Sequence, residues 1–356
     1  MQPTLIIDLE NDTISPNERN LLMHPSVAGV ILFDRNLTTR PKIIQLTQVI
    51  HDLRPELIVM IDHEGGFIQR IRRNGFRALM SARAHGEVYS LNAGVGLQMA
   101  RDYGAIMARD LLECGIDLSL APALDLDNRD SKVIGQLDRA FHATPEGVIA
   151  LTSAYIDGMR EMGMPSVGKH FPGHGSCVGD SHRELPCNEK SYDELKQSDL
   201  KPFIHAIKNH RVDALMPAHV TYPTIDPINP AGYSTRWLQG ILRQELQFDG
   251  LIISDCLGMK GADIGDLATR ADKALEAGCN LLITANQTRA VLTDLHNHLS
   301  SHATPSANNP YLDAFKAKMR RFSANHGFFS SQSTTNIPTP PPCDNRIDPR
   351  NPTHEI

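Results

Sequence analysis

The sequence predicts an α/β protein folded as a single-domain (β/α)8 TIM barrel, and three observations carry that prediction. Eight short apolar runs rich in β-branched residues recur along the chain. Segments with the apolar spacing of helices separate them. Nearly every run ends in a polar residue, and the strand C-termini of such barrels share one face, where ligands bind.

The runs are LIIDL (5 to 9), GVILF (29 to 33), LIVMID (57 to 62), IDLSLAPALD (116 to 125), SVGKHF (166 to 171), DALMPAHV (213 to 220), GLIISD (250 to 255) and NLLITAN (280 to 286). Between them lie KIIQLTQVIHDL, GLQMARDYGAIMARDLLECG, EGVIALTSAYIDGMREMG and TRADKALEAG, each closing on glycine or another turn signal. A last helix is expected at 309 to 324. Residues 1–328 are therefore assigned to the barrel domain. Residues 329–356, rich in Pro, Ser, Thr and Asn, bury too little to order themselves and are expected to be a disordered tail.

Composition narrows the function. With 356 residues and 41% hydrophobic content the chain can bury a large core, and a net charge of −6 provides no basic face for nucleic acid. The N-terminal stretch MQPTLIIDLENDTIS has acids where a secretory signal has lysines, and no apolar run approaches the ~18 residues of a membrane helix. A soluble, cytoplasmic protein that binds no membrane is expected. Cysteines 114, 177, 187, 256, 279 and 343 lack the paired spacing of a zinc ribbon or disulfide framework and read as reduced thiols.

The strand ends accumulate Asp8, Asp34, Asp62, Asp125, Lys169, His170, His219, Asp255 and Asn286, which together suit a polar, sugar-sized pocket. After the fifth strand comes KHFPGHGSCVGDSHRELP, residues 169 to 186. In its DSH, Asp180 and His182 point the same way from extended chain and can hydrogen-bond. A carboxylate on one imidazole nitrogen fixes the tautomer and raises the basicity of the other, as a proton shuttle needs. Glycines 173, 175 and 179 let this loop act as a lid. His170, His174 and His182 could instead hold a metal, but their spacing is loose and the first strand lacks His-x-His, so neither metal nor cofactor is expected. Asp255 ends an apolar strand, which holds its carboxylate rigidly, as a nucleophile requires. A mobile acid and a rigid carboxylate form a glycosidase-like pair for double displacement, with histidine in the place usually taken by a second carboxylic acid.

KHFPGHG with DSH, IDHEGG at the third strand, VIG and RAF within 133 to 141, and ISDCLGMKG at the seventh resemble the bacterial β-N-acetylhexosaminidases of glycoside hydrolase family 3, over about residues 4 to 300. The resemblance implies a single-domain cytoplasmic enzyme of cell-wall recycling. Its substrates would be peptidoglycan fragments, muropeptides containing 1,6-anhydro-N-acetylmuramic acid, from which it removes non-reducing terminal β-linked N-acetylglucosamine through a covalent glycosyl-enzyme. It further implies Asp255 as nucleophile, His182 as general acid/base, Asp180 as its partner, and Asp62, Arg70, Arg139, Lys169 and His170 as sugar-holding residues. Three positions depart from the family pattern: Cys256 replaces a second aspartate, Phe67 replaces an arginine, and QLDRAF, residues 136 to 141, which contains Arg139, is longer than usual. A histidine acid need not repel phosphate, so a phosphorylase is the alternative reading; a metal-dependent hydrolase and a non-catalytic sugar-binding barrel are the others. A small sugar is the expected partner, and a monomer the favoured state.

Overall fold

A computed structural model describes residues 4–72, 76–301 and 309–326. The expected tail, 329–356, lies outside them. Each of the eight expected runs contains a strand: β1 (Leu5–Asp8), β2 (Val27–Leu32), β3 (Ile58–Ile61), β6 (Leu118–Ser119), β7 (Val167–Phe171), β8 (Ala214–Pro217), β11 (Leu251–Ile252) and β12 (Leu282–Ile283). The remaining strands form two antiparallel hairpins, β4 (His63–Gly65) with β5 (Ile68–Gln69), and β9 (Thr221–Tyr222) with β10 (Asp226–Pro230).

The closed eight-stranded barrel is not what the ladders form. The parallel strands make two separate arcs, ordered β12-β1-β2-β3-β6 and β11-β8-β7. Between the arcs the pairing is reduced to isolated bridges, Ala123 to Lys169 and Ile253 to Leu281, with a few irregular backbone hydrogen bonds beside them. The reason is local chemistry at both seams. Pro122, beside β6, has no N–H to give to a ladder. At the other seam side chains take ladder positions: Ile252 N–H donates to Asn280 Oδ1 at 2.8 Å, and Ile283 N–H donates to Ser254 Oγ at 3.1 Å.

Alternation along the strands divides the apolar residues between two cores. Ile6, Ile31, Ile58, Met60, Val167, Met216 and Ile283 share one cluster, while their neighbours Leu5, Ile7, Val30, Val59 and Ile61 belong to the other, which includes helical residues. Those helices are α1 (Pro16–Leu22), α2 (Arg40–Leu53), α3 (Ala82–Leu91), α4 (Ala93–Leu112), α5 (Pro145–Glu161), α6 (Tyr192–Gln197), α7 (Lys201–Lys208), α8 (Leu267–Ala277) and α9 (Arg289–Ser301). A wide helix with π-type hydrogen bonding spans Arg236–Glu245 and buries Trp237 against Phe171 and Tyr222.

The last helix, α10 (Pro310–His326), does not join the outer set. Its Leu312 and Phe315 enter the inner cluster. Asn309 donates to Asn280 O, and Lys318 pairs with Asp213, so the helix lies across the N-terminal ends of β12 and β8. Sealing that end leaves the C-terminal ends of the strands for a site.

Glycine permits the closest helix contact. A Cβ on Gly104 of α4 would lie 2.1 Å from Tyr155 O, and one on Gly158 of α5 would lie 1.9 Å from Arg101 O. Gly158→Ala therefore sets a helix-propensity gain of about 1 kcal/mol against a backbone clash whose relief costs about 1–3 kcal/mol. Urea unfolding is expected to show net destabilisation. Gly240, inside the wide helix, has nothing within 4 Å of an added Cβ, and Gly240→Ala is expected to be neutral or stabilising by up to about 1 kcal/mol.

Candidate active site

The strand ends opposite α10 surround a cavity of about 220 Å³. Asp62, Arg70, Arg139, Lys169, His170, His182 and Asp255 line it, with Phe33, Ser181, Cys256, Met259 and Asn286. Every residue expected to act as catalyst or to hold the sugar is in this lining except Asp180, which stands behind His182; of the other strand-end residues Asp8, Asp34, Asp125 and His219 are not part of it. Phe67, one of the departures, is in the turn between β4 and β5 and is not part of the lining.

Lys169, projecting from β7, is almost wholly buried and lies 2.7 Å from both Asp62 Oδ1 and Glu64 Oε1. Arg139 grips the same Glu64 with two bonds, Nη2 to Oε1 at 2.7 Å and Nε to Oε2 at 3.0 Å. Such forked, charge-assisted bonds are the stronger kind and fix orientation as well as distance. Burial alone would raise the Glu64 pKa, but Arg139 and Lys169 outweigh it and hold the carboxyl well below the usual range. Burial would likewise favour a neutral Lys169; Asp62 and Glu64 reverse the sign and keep it an ammonium.

Asp125, at the end of the fourth parallel run, organises the next layer. It accepts from His170 Nδ1 at 2.8 Å, from the His170 amide at 3.2 Å and from the His174 amide at 2.6 Å. With its Nδ1 proton given to Asp125, His170 presents Nε2 as an acceptor to Arg139 Nη2 at 3.3 Å. His170 is thus held by a carboxylate on one side and a guanidinium on the other. Arg70 lies over the Phe33 ring at 5.5 Å and 3.9 Å from Asp34.

His182 Nδ1 lies 2.8 Å from Asp180 Oδ1, and the His182 amide donates to the same oxygen at 2.9 Å. These bonds hold the Asp180 carboxyl below its ordinary range and leave His182 Nε2 to exchange a proton. The expected lid is docked across the mouth: Gly261 N–H donates to Ser181 O at 2.8 Å, Lys260 N–H to His182 O at 3.3 Å, and Lys132 N–H to Val178 O at 3.3 Å. His182 and Asp255 consequently face one cavity from two segments that are hydrogen-bonded to each other.

Asp255 follows β11 and accepts from the Cys256 amide at 2.8 Å. Burial pushes its pKa up, but His170, His219 and His182 together with that amide bring it below the ordinary value of 3.8. Burial also raises the Cys256 thiol to about 11, so the residue at this departure remains neutral and places no second negative charge beside Asp255. The three histidines weighed as metal ligands have separate protein partners: Asp125 and Arg139 for His170, Ser181 for His174, Asp180 for His182. Among the described residues no group of three His, Cys, Asp or Glu is disposed to hold a metal ion.

Of the site residues, Glu64 was not singled out from the sequence, Asp125 was named only as a strand end, and His174 only as a possible metal ligand. Glu64 stands two residues after Asp62 in IDHEGG, the spacing that places both on one side of extended chain, so the signal was present.

The chain matches the model of the glycosyl hydrolase family 3 N-terminal domain over residues 5–311. A β-hexosaminidase of Shewanella frigidimarina is 45% identical over 297 residues, which cover 82% of this chain and 85% of that protein. One from Pseudomonas aeruginosa is 44% identical over 287 residues, 80% of this chain and 83% of its own. Among solved structures, NagZ from Neisseria gonorrhoeae in complex with N-trifluoroacetyl-D-glucosamine superposes with a TM-score of 0.80 at 36% identity, covering 92% of this chain and 95% of that one. An arrangement of strand-end carboxylate, Asp-held histidine and buried ionic lattice, carried by a sequence this similar, has one family assignment: the chain belongs to glycosyl hydrolase family 3, among its β-N-acetylhexosaminidases.

Proposed function

We propose that this β-N-acetylhexosaminidase is a retaining exo-hydrolase that removes non-reducing terminal β-linked N-acetylglucosamine from peptidoglycan fragments, including muropeptides that end in 1,6-anhydro-N-acetylmuramic acid. The observation that carries the mechanism is the pairing of Asp255 and the Asp180–His182 dyad across one cavity. Asp62, Glu64, Lys169, Arg139, His170 and Arg70 supply both carboxylate acceptors and cationic donors for sugar hydroxyls. Buried and mutually bonded, they lose little freedom when a sugar binds. In this reading residues 1–328 are the catalytic unit, the enzyme works as a cytoplasmic monomer, and the sugar needs no cofactor. No helix among the described residues is long and apolar enough to cross a membrane.

Two displacements complete the reaction. In the first, an Asp255 oxygen bonds to the anomeric carbon as the glycosidic C–O bond breaks. His182 Nε2 gives its proton to the departing oxygen. In the second, neutral His182 takes a proton from water as that water bonds to the anomeric carbon and Asp255 leaves. Asp180 stabilises the imidazolium at each stage. The β configuration is recovered after two inversions.

Asp255→Ala is expected to abolish cleavage of p-nitrophenyl β-N-acetylglucosaminide and of chitobiose alike. His182→Ala should lower kcat/KM for chitobiose by about 10²–10⁴-fold, the usual worth of general acid catalysis, and far less for the nitrophenyl substrate, whose leaving group needs little protonation. Equal losses on both would contradict the acid role. In phosphate buffer the product should be the free sugar; sugar 1-phosphate would establish the phosphorylase instead.

The pH profile has a definite sign. Attack requires ionised Asp255, and because that carboxyl lies below its ordinary value of 3.8, kcat/KM for the nitrophenyl substrate should persist on acidification until the pH falls below that value. Stopped assays after brief exposure to each pH separate this limb from unfolding.

A further inference from the structure

The second histidine of KHFPGHG is absorbed by neither the sugar lattice nor the acid/base dyad. His174 is 1% exposed, and its Nε2 lies 3.0 Å from Ser181 Oγ. Ser181, itself buried, immediately precedes His182 and lines the cavity. The His174 amide is tied to Asp125 at 2.6 Å, and its ring stacks edge-on to His170 at 5.9 Å. One end of this side chain is thus anchored to the carboxylate that sets His170. The other end holds the residue from which the acid/base histidine follows. Among the described residues its Nδ1 has no hydrogen-bond partner, so the ring is placed for its bond to Ser181.

We propose that His174 is a positioning residue, the latch that holds the 175–184 loop shut through Ser181 and so sets how well His182 protonates a leaving group. The two amide bonds from Gly261 and Lys260 bring the loop to the nucleophile segment, but they fix only its backbone. The His174–Ser181 bond supplies a side-chain tether from the strand floor. Burial depresses the His174 pKa to about 4, so the ring remains a neutral imidazole at working pH and the tether is not lost to protonation there. The latch governs acid and base catalysis and leaves the sugar lattice and Asp255 intact. Substrates with poor leaving groups therefore depend on it in kcat/KM, and activated aryl glycosides only in kcat, through deglycosylation.

This inference rests on the reading of His182 as acid/base, and the test is chosen to separate the two. Kinetics of His174→Phe, His174→Gln and Ser181→Ala are measured on chitobiose and on p-nitrophenyl β-N-acetylglucosaminide, with hydrogen exchange followed in the peptide covering 175–184. For His174→Phe the expected result is a loss of about 10–100-fold in chitobiose kcat/KM, within the range of general acid catalysis. On the aryl substrate kcat/KM should change little while kcat and KM fall together, because deglycosylation slows. Ser181→Ala should reproduce the pattern, and His174→Gln, whose amide reaches the Nε2 position, should restore most of it. Exchange at 175–184 should accelerate in the Phe and Ala variants only. Equal losses on both substrates, or unchanged exchange in the loop, would overturn the latch. If the wild type cleaves neither substrate, the function reading fails, and the exchange result alone decides the latch.

Discussion

A lysine buried to the extent of Lys169 must have negative partners, because an ammonium removed from water without compensation costs several kcal/mol. Two carboxylates meet it, Asp62 and Glu64, and the second brings Arg139 with it. Arg139 in turn braces His170, and His170 draws in Asp125. Each member satisfies the desolvation of the next, so the set is stable only as a whole; removing one partner from such a pair costs about 3–5 kcal/mol. The lattice is expensive relative to an apolar core of the same size. It does what an apolar core cannot, presenting fixed donors and acceptors to a hydroxylated ligand.

The interruptions in the strand ladders and the residues of the candidate site coincide. The β6/β7 seam carries Asp125, Lys169 and His170; the β11/β12 seam is followed by Asp255, Cys256 and Asn286. Where a ladder is intact, backbone amides are committed to neighbouring strands. At the seams they are available to side chains, so Asp125 accepts from the His170 and His174 amides and Asp255 from the Cys256 amide. Those amide bonds orient carboxylates without placing a further charge beside them. A perfectly regular closed ladder would have left these carboxylates less firmly held.

This also separates what was legible in the sequence from what was not. Apolar runs of fixed length alternating with helical spacing leave a direct trace, and all eight parallel strands are where those runs predicted. Ladder closure leaves none, because it turned on Pro122 and on Ser254 and Asn280 taking backbone positions. Asp255 and the DSH pair were readable because a strand end and a two-residue spacing determine where they point. Glu64 and Asp125 had local signals, a two-residue spacing from Asp62 and a strand end, but their roles were not readable, since their partners are 75 and 45 residues distant in the chain. His174 could be read from its company only as a possible metal ligand, and its actual partner, Ser181, is an unremarkable loop serine until the loop is folded.

The central claim is that Asp255 forms a covalent bond to the sugar. The direct test is incubation with a 5-fluoro N-acetylglucosaminyl fluoride, which slows turnover of the intermediate, followed by proteolysis and mass spectrometry. The account predicts a glycosyl adduct on the peptide containing Asp255, fragmenting to that residue. Consumption of the reagent with the adduct on another residue, or with no adduct and an α-configured first product, would contradict it.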